Sequence, residues 1–180
     1  MASSKFQAVA APVARTMIII WAAFLAAPFV YLVVGWILSR NPRPEDAAEA
    51  PVGVLTAAFL LVGTALVAAS FALQRRALGD AALKAVMGPG SSALLPPGAG
   101  DLEPVEQRLA RLLPHYQTTL IKVLAMREAL AILGLVLVVL TGNFLLMVPW
   151  AVAAVGLITT QPPRVRELVE RATPLARSLG

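Results

Sequence analysis

The chain has no cysteine and one histidine in 180 residues. The first absence excludes disulfide scaffolds, thiolate metal sites and cysteine nucleophiles. The second excludes a multi-histidine metal or haem site within one chain. Charge is scarce too: charged residues make up 14%, where a soluble domain carries about 25%. There is no P-loop, no G-x-S-x-G, no H-E-x-x-H and no acidic cluster at metal spacing. Gly88-Pro89-Gly90 has no strand before it and no P-loop lysine after it, so it reads as a flexible linker. Glu45, Asp46 and Glu49 read as a solvated acidic turn, and His115 as a hydrogen-bonded interfacial residue, since catalysis needs partner groups with suitable geometry. A non-enzyme without cofactor or metal is the expectation.

What is abundant is apolar surface. Hydrophobic residues make up 58% and the mean hydropathy is +0.77. A soluble monomer of this size cannot bury so much, and a disordered chain would not carry it. Four stretches approach the roughly 20 apolar residues that a membrane-spanning helix needs. They are residues 16–38, 52–73, 118–140 and 144–160, the last being short at 17 residues. Asn41-Pro42-Arg43-Pro44 stops the first, because proline lacks an N–H and disfavours helix in the residue before it. Thr141-Gly142-Asn143 is a tight turn that makes the third and fourth an antiparallel hairpin, and Gln161-Pro162-Pro163 ends the fourth. Pro28 and Pro149 fall inside stretches and mark candidate kinks. The first stretch exceeds the roughly 7–15 residues of a signal-peptide core, so it reads as a retained span.

The expected fold is an all-α membrane protein of four transmembrane helices with short interfacial amphipathic helices. Residues 1–15 form an N-terminal cytoplasmic segment, 16–73 a first hairpin, 74–117 a cytoplasmic loop, 118–160 a second hairpin and 161–180 a cytoplasmic tail. Four spans put the N-terminus, the long loop and the tail on one side. That side holds Lys5, Arg15, Arg75, Arg76, Lys84, Arg108, Arg111 and four arginines of the tail, against Arg40 and Arg43 on the other. The bias places both termini in the cytoplasm and favours an inner (plasma) membrane. The net charge of +5 then reflects topology and anionic headgroups. No basic patch is interleaved with aromatic residues, so nucleic acid is not an expected partner.

Residues 74–86 read as a continuation of the second span, followed by Gly/Pro/Ser linkers up to Gly100. A helix over 101–113 has Asp101 as its N-cap and Pro104 in its first turn. Its Leu102, Val105, Leu109 and Leu112 share one face, which suits either the membrane surface or the ends of the bundle. In the tail Val165, Leu168, Val169 and Ala172 share a face, and Glu167 is placed to pair with Arg171 four residues on. An offset of 103 residues also aligns Thr16, Ala22, Ala26, Leu32 and Val33 with Thr119, Ala125, Ala129, Leu135 and Val136. That pattern suggests two repeated helical hairpins.

The ionisable residues inside the apolar stretches are Lys122, Arg127 and Glu128. A charge at the bilayer centre costs about 2.5–3.5 kcal/mol on insertion scales. Lys122, one turn from the cytoplasmic end, snorkels. Arg127, roughly 13 Å along the axis, either snorkels in part or pairs with a carboxylate or a backbone carbonyl. Glu128 is too short to escape. It is either a structural partner, for instance of Tyr31, Thr56 or Thr64, or a protonatable group that binds and releases an ion. Residues 127–137 read R-E-A-L-A-I-L-G-L-V-L, which resembles the carboxylate helix of the rotary ATPase proteolipid, or c, subunit. The resemblance implies that Glu128, with Arg127 beside it, carries a translocated proton or sodium ion. With few intramembrane polar groups and no enzyme motif, the leading expectation is a non-catalytic subunit or scaffold of a membrane assembly. It would be a homo- or hetero-oligomer packed through small-residue faces such as Ala22/Ala26, Ala65/Ala69 and Ala153/Gly156.

Overall fold

The computed structural model describes residues 3–40, 51–88, 91 and 94–179. Among these residues regular structure is helical throughout, with no strand. Six α-helices follow in order: α1 Ser4–Ser39, α2 Val52–Ala77, α3 Asp80–Met87, α4 Pro104–Thr141, α5 Val148–Thr159 and α6 Val165–Arg177. Single 3-10 turns occupy Ala99–Asp101 and Phe144–Leu146. Three helices, α1, α2 and α4, are long and apolar enough to cross a membrane, while Phe144–Thr159 is apolar but shorter. The proline stop at Asn41-Pro42-Arg43-Pro44, the acidic turn of Glu45, Asp46 and Glu49, and the linker residues Pro89, Gly90 and Ser92 lie outside the described residues.

Several boundaries differ from the sequence expectation. The amphipathic segment after the linker and the third apolar stretch form one helix, α4, of 38 residues, which runs straight through Pro114. Proline removes one backbone hydrogen bond. Here both flanks of Pro114 are held by packing, since Leu112, Leu113 and Tyr116 are buried. Asp101 is not a helix cap: it closes a 3-10 turn, and α4 starts at Pro104, where the missing N–H costs nothing. The second span does not continue to Val86, because extended backbone at Gly79 separates α2 from α3. Pro149 is no kink either; it sits in the first turn of α5. The expected turn at Thr141-Gly142-Asn143 is present. Gly142 adopts a φ of 67°, open to glycine at little cost, and the Asn143 side chain accepts from the Leu145 N–H.

The chain forms two compact units. The first comprises Met1–Ile20, Ala72–Lys122 and Pro162–Gly180. Its core holds Phe6, Met17, Leu83, Met87, Leu109, Leu112, Leu113 and Leu168. Of the face expected on the early part of α4, Leu102, Leu109 and Leu112 are buried and Val105 is half-buried. Of the tail face, Leu168 and Ala172 are buried. These faces are covered by protein. The expected Glu167–Arg171 pair does not form: Glu167 pairs with Arg164 at 3.2 Å, and Arg171 reaches Asp80 on α3.

The second unit comprises Trp21–Phe71 and Val123–Gln161. Its core is Leu130, Ala131, Leu137, Trp150 and Ala154, with Tyr31, Leu55, Phe59 and Val67 packed against it. Trp150 fits because two neighbours are glycines. A Cβ on Gly63 would stand 2.6 Å from the indole edge, and one on Gly134 would stand 2.8 Å from the Trp150 Cβ. The small-residue pairs expected at helix contacts, Ala22/Ala26, Ala65/Ala69 and Ala153/Gly156, are all exposed. The second unit thus packs Trp150 against Gly63 and Gly134 and leaves the spaced alanines facing outward.

Candidate functional site

Helix α4 carries the groups that the sequence singled out, and it turns them in different directions. Lys122 is exposed, Arg127 is fully buried and Glu128 is half-buried. Consecutive helical residues point about 100° apart, so Arg127 and Glu128 serve different partners. The Tyr31 hydroxyl of α1 donates to Glu128 Oε1 at 2.7 Å. This is one of the structural partnerships considered for the carboxylate, and it ties α1 to α4 by a polar bond amid apolar side chains.

Arg127 takes the backbone option. Its Nη1 donates to the Leu157 carbonyl and lies 3.3 Å from Thr160 Oγ1. Its guanidinium carbon stands 5.1 Å from the centre of the Phe71 ring, within cation–π range. The choice of acceptor has a physical cause. The last four carbonyls of a helix lack intrahelical donors, and α5 ends at Thr159. Helix dipoles leave about half a negative charge at that end, which stands in for a counter-ion. Trp21 of α1 completes the arrangement, with its indole N–H 3.1 Å from the Ile158 carbonyl. Nε and Nη2 of Arg127 have no hydrogen-bond partner among the described residues.

The contacts fix the pairing of α4 with α5. Gly134 meets Trp150 and Met147, and Arg127 meets Leu157. Seven residues back along α4 match seven forward along α5, which is an antiparallel register.

The same device recurs in the first unit, and sequence reasoning missed it. Arg108 Nη1 donates to the Ala176 carbonyl at 2.9 Å, at the end of α6. Arg111 Nη1 lies at a long 3.4 Å from the carbonyl of Gly88, the residue that caps α3. His115 Nε2 lies 3.0 Å from the carbonyl of Ala77, the last residue of α2, so that nitrogen carries the hydrogen. Residues 108, 111 and 115 are spaced to share a face. With Arg127, four basic side chains of one helix each cap the C-terminus of a different helix. The sequence showed Arg108 and Arg111 only as charges of the long polar loop. An acceptor that is a backbone carbonyl leaves no mark in the residue string.

Among the described residues no group of three or more histidine, aspartate or glutamate side chains is placed to hold a metal ion. No protein-family model, no curated protein and no solved structure matches this chain.

Proposed function

We propose that the chain is a non-catalytic, four-span membrane protein of the plasma membrane, with both termini cytoplasmic. It serves as a subunit or scaffold of a membrane assembly. The observation that carries this reading is the engagement of both deep ionisable groups: Arg127 on the end of α5 and Glu128 on Tyr31. Among the described residues, neither partner is hydrogen-bonded on to a further ionisable group, as an ion path would require. The outward alanine pairs of α1 and α2 then serve contacts with other chains. For the fourth crossing, support comes from the chain beyond α5: the Arg164 N–H donates to the hydroxyl of Tyr116, two residues before the third apolar stretch.

A second reading, a c-like proteolipid that moves protons or sodium ions through Glu128, draws on the carboxyl being only half-buried. Modification by a hydrophobic carbodiimide across pH, in native membranes, separates the two, because the reagent needs a protonated, accessible carboxyl. The scaffold reading expects no modification of the wild-type chain and clear modification of Tyr31→Phe, in which the carboxyl has lost its donor. Modification of Glu128 in the wild-type chain, together with ion flux abolished by Glu128→Gln, would put the proteolipid reading first.

A further inference from the structure

The first unit distributes its charges unevenly. Most cations of the tail are paired, with Arg164 on Glu167, Arg166 on Glu170 at 2.8 Å and Arg171 on Asp80 of α3. Glu106 accepts from the backbone and the hydroxyl of Ser3, each at 2.8 Å. Arg108 and Arg111 are turned onto helix ends. Lys5, Arg15, Arg75, Arg76, Lys84, Lys122 and Arg177 are exposed and have no acidic partner among the described residues; of these, Arg15, Arg75, Arg76 and Lys122 lie at or just inside the borders of the apolar stretches.

Their positions along the chain follow one rule. Arg15 directly precedes the first apolar stretch, Arg75 and Arg76 directly follow the second, and Lys122 lies one turn inside the third. On the four-span reading, all four stand at headgroup level in the same leaflet. The acids of this unit without an ionic partner are Asp101, Glu103 and Glu106; they lie before α4 or in its first turn and adjoin no apolar stretch. Among the described residues, no acidic side chain pairs with any of the four cations. A guanidinium matches a phosphate bidentately and an ammonium meets it as a point charge.

We propose that Arg15, Arg75, Arg76 and Lys122 form a collar that binds the headgroups of anionic phospholipids in the cytoplasmic leaflet. The proposal rests on the four-span reading. A zwitterionic headgroup offers the same phosphate, but its own cation cancels the attraction, so net negative lipid is selected.

The test uses the full chain in phosphatidylcholine bilayers containing a minority of phosphatidylglycerol. Spin-labelled analogues of both lipids report which one the protein immobilises. The wild-type chain retains phosphatidylglycerol preferentially. Arg75→Gln with Arg76→Gln lowers that preference at least about threefold, given that each basic residue near an anionic leaflet is worth about a fivefold factor. The Arg75→Lys, Arg76→Lys pair restores it. Arg166→Gln, which removes a cation already held by Glu170, leaves it unchanged. Equal retention of both lipids by the wild-type chain, or an equal loss in Arg166→Gln, overturns the collar. Thiol labelling of Ser4→Cys and Leu145→Cys from opposite sides of the same bilayers reads the threading independently. A missing lipid preference in a correctly threaded chain therefore overturns the collar and leaves the four-span reading standing.

Discussion

Arg127 shows how a cation is kept deep in an apolar helix without a carboxylate. Its acceptor is the end of α5, where unsatisfied carbonyls and the helix dipole already call for positive charge. Arg127→Ala should therefore act locally. Hydrogen exchange should quicken over the last turn of α5, around residues 155–161, while amides around Ala131 stay protected; exchange followed by mass spectrometry in mild detergent checks this. Gly134 sets a different constraint. An added methyl group meets the Trp150 Cβ and the Met147 backbone, neither of which can swing aside. Overpacking of this kind costs about 1–3 kcal/mol, so Gly134→Ala should lower the thermal unfolding midpoint measurably. Gly156→Ala, whose Cβ would meet nothing within 4 Å, should leave it unchanged or raise it.

At the scale of elements, α4 gathers most of the organisation. Of its most apolar window 44% is buried, against 11% for α1 and 6% for α2. The sequence disclosed the apolar core of α4 and the turn at Gly142, and offered Tyr31 beside Thr56 and Thr64 as a partner for Glu128, because apolar runs, glycine chemistry and the scarcity of buried polar groups are local or countable signals. It hid the passage of α4 through Pro114, which depends on distant packing outweighing a local penalty. It also hid the break at Gly79 and the pairing of Arg171 with Asp80, which rests on α3 lying within reach of α6. The caps were hidden most completely, since every residue carries the acceptor. The small-residue faces were legible as such, but not their outward orientation. If those faces hold other chains, Ala22→Leu should reduce oligomer size in native membranes, whereas Arg166→Gln, on the exposed side of the tail helix, should not. Chemical cross-linking before solubilisation distinguishes the two.

For the whole molecule, the sharpest contrast is in charge. Among the described residues, the basic side chains of the second unit are Arg40 and Arg127 alone, and the first unit holds the rest. That partition follows a chain whose apolar stretches alternate with basic borders. Since the chain has no cysteine, single substitutions can map it cleanly. A membrane-impermeant thiol reagent should reach Ser4→Cys and Ser178→Cys from the cytoplasmic side, and Ser39→Cys and Leu145→Cys from the other. Labelling of Ser178→Cys together with Leu145→Cys from the outer side would remove the fourth crossing.

The caps on α4 also impose an order on biosynthesis. Helices α2 and α3 are synthesised first, yet the side chains that close their C-termini, His115 and Arg111, leave the ribosome later. Until then those carbonyls must be met by water, lipid headgroups or the insertion machinery. The ends of α2 and α3 lack these partners until α4 is made, so a nascent chain arrested before residue 104 should be more sensitive to protease than one arrested after residue 141.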